Sequence, residues 1–340
     1  MTNVAGGDER STVRVRGIRE GVRFLLPRTI GLILLIVLLL RIDTGHLLDT
    51  LKKADIGMVT LAMIMLIVLI GIKTVRWQMI LRTLKISMSW RNAFLAYFAS
   101  IFIGFLTPGR LGEFGRALYI RNDPNAQSGV GFSSVLADRL FDLYALLLVG
   151  SAAIFSLGRG QYWLWTTLFF VISLLPVFLF IYDVPFNWIK TFAARLGRVG
   201  TRLFDQNGWL LGMRQGLLKM GTGLLAINTV LTVMAYLVYF TQCFILSKAL
   251  AIEVSFTSVM FAVALGSLIT LLPFSISGLG TREATIIAYL STVGISPETA
   301  LSFSFLVFVT FYVVGGLIGA IAWLVHPIQM SLRRGDGNRD

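Results

Sequence analysis

The sequence predicts an all-α integral membrane protein with about six transmembrane helices and two opposite-facing re-entrant elements made of broken helices. Three observations predict it. Of 340 residues, 56% are hydrophobic and only 14% charged, and the mean hydropathy is +0.79, a balance foreign to a water-soluble domain of this length. Uncharged apolar runs long enough to cross a bilayer recur along the chain. Two further apolar stretches are interrupted midway by Pro and several Gly, which a plain crossing helix does not accommodate.

Taken in order, residues 1–28 form a basic arm in which Arg10, Arg14, Arg16, Arg19 and Arg23 precede the apolar stretch Thr29 to Leu40. That pattern imitates a secretory signal, but Arg41-Ile42-Asp43 follows in place of a small-residue cleavage site, so the expectation is an uncleaved first helix. Arg28 and Arg41 would snorkel at its ends. Five more crossings are expected at Ile56 to Val75, Gly129 to Ser156, Gln161 to Tyr182, Gly223 to Ser247 and Ala300 to Val325. The polytopic domain thus occupies residues 29–326, with a tail over 327–340.

The net charge of +13 would suggest nucleic acid in a soluble protein. Here Lys and Arg sit between apolar runs and serve as topology signals, so no nucleic-acid partner is expected. The arm, the Arg76 to Arg91 loop, the Lys190 to Lys219 loop and the tail with Arg333 and Arg334 hold most of them, which makes all four cytoplasmic and the protein a multi-pass cell-membrane (inner-membrane) protein with both termini inside. This holds only if the broken stretch Asn92 to Ile120 dips in from the cytoplasmic side and Phe256 to Val293 from the outside. Two Gly-kinked spanning helices are the competing reading, at the expense of placing Arg116 and Arg121 outside. Within the basic loop 183–221, Ile189, Phe192, Leu196, Val199 and Leu203 recur at three- and four-residue spacing beside Arg195, Arg198 and Arg202, the pattern of an interfacial amphipathic helix or of a plain basic linker.

The chemistry concentrates at the breaks. In Thr107-Pro108-Gly109-Arg110-Leu111-Gly112-Glu113-Phe114-Gly115-Arg116, Pro108 stops a helix and Gly109, Gly112 and Gly115 permit a tight reversal. Arg110 and Arg116 offer forked donors suited to phosphate, with Glu113 as counter-charge or proton site. The second break, Pro273-Phe274-Ser275-Ile276-Ser277-Gly278-Leu279-Gly280-Thr281-Arg282-Glu283, repeats the order. Its free N–H groups, Arg282 and the Ser275, Ser277 and Thr281 hydroxyls form an anion site at a helix N-terminus. A structural ion pair closing each hairpin is the alternative use of Arg and Glu. Asp138, Arg139 and Asp142 lie in the first half of a crossing helix, with Asp138 and Asp142 on one face. They are either functional or an interfacial charge cluster.

The sequence contains no P-loop, HExxH or nucleophile elbow, and His46 and His326 are far apart, so no cofactor, metal site or catalytic residue is expected. Cys243 is a packing residue. Gly315-Gly316 and Gly319-Ala320 suit close helix packing within the chain, or between protomers of a homo-oligomer.

On Thr107 to Glu113 with Arg116, on Ser134, Asp138, Arg139 and Asp142, and on Pro273, Ser275, Gly278, Gly280, Thr281, Arg282 and Glu283, the chain resembles the transmembrane flippase-like domain of the lysylphosphatidylglycerol synthase family, over nearly its whole length. The resemblance implies a lipid transporter moving a phospholipid, aminoacyl-phospholipid or polyprenyl-phosphate-linked lipid between leaflets, with the re-entrant elements lining the path. Full synthases carry a soluble aminoacyltransferase domain. This chain ends at Asp340, so lysyl transfer is not expected of it. The alternatives are an integral-membrane transferase using a lipid-phosphate donor, with Glu113 or Asp138 as base, and a non-transporting partner of a glycosyltransferase or lipid synthase.

Overall fold

The computed structural model describes residues 44–107, 109–126, 129–157, 182–195, 209–219, 221–272 and 278–327, with single residues 164, 167, 171, 197, 204 and 275. The expected first helix, most of the Gln161 to Tyr182 crossing, Leu196, Val199 and Leu203 of the amphipathic stretch, and the tail beyond 327 lie outside them, as do Pro108, Pro273 and Ser277. Among the described residues the protein is helical without a strand. The helices are α1 (Thr44–Lys52), α2 (Ile56–Thr83), α3 (Trp90–Phe105), α4 (Val130–Ser156), α5 (Asp183–Ala194), α6 (Trp209–Leu218), α7 (Thr222–Ala249), α8 (Phe256–Thr270), α9 (Thr281–Thr292), α10 (Pro297–Phe308) and α11 (Gly315–Val325). A 3-10 helix runs over Leu111–Ile120, and a π-helical turn over Val309–Val314 joins α10 to α11.

Among the described residues four helices are long and apolar enough to cross a membrane: Ile56–Thr83, Val130–Ser156, Gly223–Ala249 and Pro297–Val325. Their outer faces are Leu, Ile, Val and Phe side chains such as Ile64, Val68, Leu148, Val233 and Leu317. In water these would be a liability; in lipid they are the expected surface. The protein is an all-α membrane protein.

Both broken stretches fold back on themselves. α3 ends at Phe105 and the 3-10 helix returns along it; α8 ends at Thr270 and α9 returns along α8. Close approach makes the first fold-back possible. A Cβ on Gly112 would collide with the Ile103 carbonyl, and one on Gly104 with the Glu113 side chain. At the second, Gly278 has φ 76° and lies against Thr270, a position closed to other residues both by backbone and by space. Arg110 adopts a left-handed φ of 56°, an unusual conformation for a non-glycine residue that tends to mark functional segments.

One expectation changes. Residue 76 does not open a loop: α2 runs on to Thr83, about 42 Å at 1.5 Å per residue, and Arg76 is wholly buried within it. A helix of that length exceeds the ~30 Å hydrocarbon core, so a charge-free window underestimates it. α5 ends at Ala194, and Leu196, Val199 and Leu203 of the expected amphipathic stretch lie outside the described residues. α5 turns Phe186 and Ala193 inward on Phe204 and leaves Trp188 and Phe192 exposed.

The small residues on α11 serve packing within the chain. α11 lies along α3, and a Cβ on Gly319 would strike the Phe98 carbonyl and the Phe102 side chain, whereas Gly316 has nothing within 4 Å. Gly319→Ala is therefore expected to cost about 1–3 kcal/mol as the two helices are forced apart, while Gly316→Ala is neutral. Thermal unfolding of the two variants in detergent measures the difference; equal melting temperatures would contradict this packing.

Candidate functional site

Asp138 lies two turns into α4, roughly 12 Å along the axis from Val130, and Asp142 roughly 18 Å. At 0% and 7% exposure both are buried, and both belong to a network of charges inside the protein. Asp138 Oδ1 accepts from Arg76 Nε at 2.8 Å, and Oδ2 accepts from Arg116 Nη2 at 2.8 Å and from Tyr97 Oη at 3.0 Å. Arg139 Nη2 lies 3.3 Å from the same oxygen. Asp142 is met by Lys73 Nζ at 3.0 Å, Arg76 Nη2 at 2.9 Å and Arg139 Nη2 at 3.2 Å.

Glu113 enters the same network from the first tip. The 3-10 helix carries it beneath Gly104, where it is 1% exposed, between Arg110 Nε at 2.7 Å and Arg139 Nη1 at 2.5 Å. Arg116 lies flat between Tyr97 and Trp77, with Cζ 4.0 and 5.0 Å from the ring centroids. A guanidinium with few hydrogen-bond acceptors gains from such faces when desolvated. Trp77 in turn donates from Nε1 to Ser134 Oγ at 3.2 Å. Arg76 reaches α7 by donating from Nη1 to Thr232 Oγ1 at 2.9 Å.

Among the described residues, then, five cationic side chains (Lys73, Arg76, Arg110, Arg116, Arg139) contact three carboxylates (Glu113, Asp138, Asp142). This network of described residues holds two more positive charges than negative. In a low-dielectric setting such a surplus is unfavourable unless an anion meets it. A cavity of about 340 Å³ lies beside the network, and Lys73, Arg110, Arg139, Glu113 and Asp142 line it together with Tyr97, Tyr236, Tyr239, Tyr312 and Ser267. The rest of its wall is apolar, from Leu66 and Ile70 to Leu146 and Phe311.

The second tip is built differently. Gly280 N donates to Glu283 Oε2 at 2.6 Å, closing the N-terminus of α9, and Arg282 pairs with Glu283 Oε1. Thr281 Oγ1 lies 3.0 Å from Ser275 Oγ and donates to the Gly278 carbonyl. Glu283 already holds the helix N-terminus, so of the anticipated anion donors the one with spare capacity is Arg282, whose Nε and Nη1 have no hydrogen-bond partner among the described residues. The two tips meet through Tyr312, whose ring is 5.5 Å from Arg110 Cζ and 4.8 Å from Arg282 Cζ.

The predicted set is thus gathered in two places. Gly109, Arg110, Gly112, Glu113, Arg116, Asp138, Arg139 and Asp142 form one interior cluster; Ser275, Gly278, Gly280, Thr281, Arg282 and Glu283 form the adjoining tip. Sequence reasoning missed Lys73, Arg76, Tyr97, Tyr236, Tyr239 and Tyr312. Lys73 and Arg76 do carry a signal: three apart on one helical face, they stand well short of the end of α2. The tyrosines carry none, since each sits in an apolar run. Among the described residues no cluster of His, Cys, Asp and Glu is arranged to hold a metal.

A family model described as the lysylphosphatidylglycerol synthase TM region matches residues 25–319, which include both tips and the α4 cluster. A UPF0104 membrane protein of Methanothermobacter thermautotrophicus is 24% identical over 293 residues, covering 80% of this chain and 86% of the relative. Another, from Methanocaldococcus jannaschii, is 22% identical over 323 residues, covering 90% and 96%. A third, from Pyrococcus horikoshii, is 29% identical over 122 residues, 35% of this chain and 36% of its own. With three relatives named as membrane proteins and a family match over most of its length, the chain belongs to the lysylphosphatidylglycerol synthase TM-region family.

Proposed function

We propose that the protein moves a phosphate-bearing membrane lipid between leaflets, the headgroup passing through the cavity between the two tips while its chains stay in the bilayer. The observation that carries this reading is the surplus of two positive charges in the network beside that cavity. A lipid phosphate supplies one or two negative charges and several acceptor oxygens, and forked guanidiniums suit it. Apolar walls flanking the charged patch suit a ligand that is half headgroup and half hydrocarbon. Lys73, Arg110, Arg139 and Arg282 are the phosphate contacts in this reading. Glu113, with both oxygens engaged by guanidiniums, serves better as a balancing charge than as the base of a transferase.

Proteoliposomes containing a labelled phospholipid test the proposal. The parent is expected to move lipid across the bilayer, and Arg282→Ala and Glu113→Gln to slow it about tenfold or more, the loss attached to a charge-assisted hydrogen bond. Unchanged movement in both variants would sink the site. Conversion of the label to a new lipid on chromatography, without movement, would make the protein a transferase instead.

The charge surplus makes a second prediction in which two variants go in opposite directions. Asp138→Asn removes a carboxylate, strands Arg116 and leaves Arg76 to Asp142 alone, and is expected to destabilise the fold by about 3–5 kcal/mol. Lys73→Met removes a cation while Asp142 keeps Arg76 and Arg139, so its melting temperature is expected to equal or exceed the parent's, with weaker lipid movement. Melting curves in detergent beside the liposome assay give both values. Destabilisation of Lys73→Met on the scale of Asp138→Asn would refute the surplus.

A further inference from the structure

The helix that crosses from Pro297 to Val325 is not α-helical throughout. Its middle widens into a π-helical turn over Val309–Val314, a rare conformation that is frequent at functional sites. Tyr312 sits on that turn. It lines the cavity, and its ring is the one on which a guanidinium from each broken element converges, Arg110 at 5.5 Å and Arg282 at 4.8 Å. Phe308 supports it, stacked at 5.4 Å and 20° and itself 5.1 Å from Arg282 Cζ. Phe105, the last residue of α3, lies 6.2 Å from the Tyr312 ring.

Arg282 supplies an independent observation. It is 3% exposed, it spends Nη2 on Glu283, and its Nε and Nη1 find no acceptor among the described residues. A buried guanidinium with idle donors and an aromatic face for company is held in place but not satisfied. Each guanidinium is ion-paired at its own tip, Arg110 with Glu113 and Arg282 with Glu283, and the ring gives the two a shared third partner.

We propose that Tyr312 is a positioning residue that keeps Arg110 and Arg282 together in the empty site, its π face standing in for the anion, and that one phosphate group of the lipid then takes both guanidiniums from it. This rests on the proposed lipid-transport function. The exchange needs no bond chemistry: a phosphate offers full charge and acceptor oxygens where the ring offers only a quadrupole, so it displaces the ring contact while Tyr312 stays on its turn.

Spin labels at Leu111 and Leu279, in a Cys243→Ala background, read the distance between the tips in lipid-free protein. The parent and Tyr312→Phe, which keeps the π face, are expected to give one narrow distribution and Tyr312→Leu a broad one. In liposomes Tyr312→Leu should raise KM for labelled phospholipid roughly tenfold with the maximal rate little changed, and Tyr312→Phe should restore it. A narrow distribution in Tyr312→Leu, an unchanged KM, or a Tyr312→Phe variant that behaves like Tyr312→Leu would overturn the proposal. The distance measurement contains no lipid, so its result stands apart from whether the protein transports.

Discussion

A carboxylate with no solvent exposure, set in the middle of apolar helices, stays ionised only if cations and hydrogen-bond donors close around it. Asp138 meets that demand with Arg76, Arg116, Arg139 and Tyr97. The four partners come from α2, the 3-10 helix, α4 itself and α3, so satisfying one side chain fixes the relative placement of most of the first half of the molecule. Arg76 extends the constraint to α7 through Thr232. The fold-back of the first broken element is part of the same solution, because only a chain that reverses after Phe105 brings Arg116 and Glu113 to this depth.

The two tips share an order of residues but not a physics. At the first, Glu113 belongs to a network of three carboxylates and five cations and is clasped from both sides. At the second, Glu283 closes a helix N-terminus and pairs with its neighbour Arg282, a neutral unit whose remaining capacity lies in the guanidinium edge. The first tip belongs to a network whose charge surplus calls for an anion; the other supplies idle donors with little net charge. A phosphate between them would satisfy both deficits at once.

Much of this was legible in the chain. Composition and apolar runs gave the membrane class, and Pro and Gly within apolar stretches located both reversals, because removing a backbone donor or a Cβ has a local effect that spacing reveals. Arg110, Glu113, Asp138 and Arg282 stood out because ionisable residues inside apolar runs are rare. Lys73 and Arg76 escaped because Lys73 is a lone charge near the end of an expected crossing and Arg76 opens the first dense run of charge, both of which look like a helix terminus, whereas α2 continues to Thr83 and brings both into the network. The tyrosines escaped for a different reason: a tyrosine in an apolar run looks the same whether it packs in a core or faces a cavity, and only the tertiary arrangement, including a π-helical turn that no periodicity announces, tells the two apart. The asymmetry of the tips was equally hidden, since it depends on which distant cations each Glu meets.

The redundancy of the network bears on how a site of this kind would release what it binds. Arg139 touches Glu113, Asp138 and Asp142, and Asp142 touches Lys73, Arg76 and Arg139. No single pairing is exclusive, so an incoming phosphate can take donors from one carboxylate while that carboxylate keeps others. A one-to-one set of buried ion pairs would behave otherwise: each phosphate contact would strand a charge, and the penalty of several kcal/mol that follows would either bar the ligand or trap it once bound. Passage through a site requires binding that is favourable yet divided among exchangeable partners. Shared guanidiniums and carboxylates, with the proposed aromatic face holding the tip arginines between occupants, would meet that requirement with side chains alone.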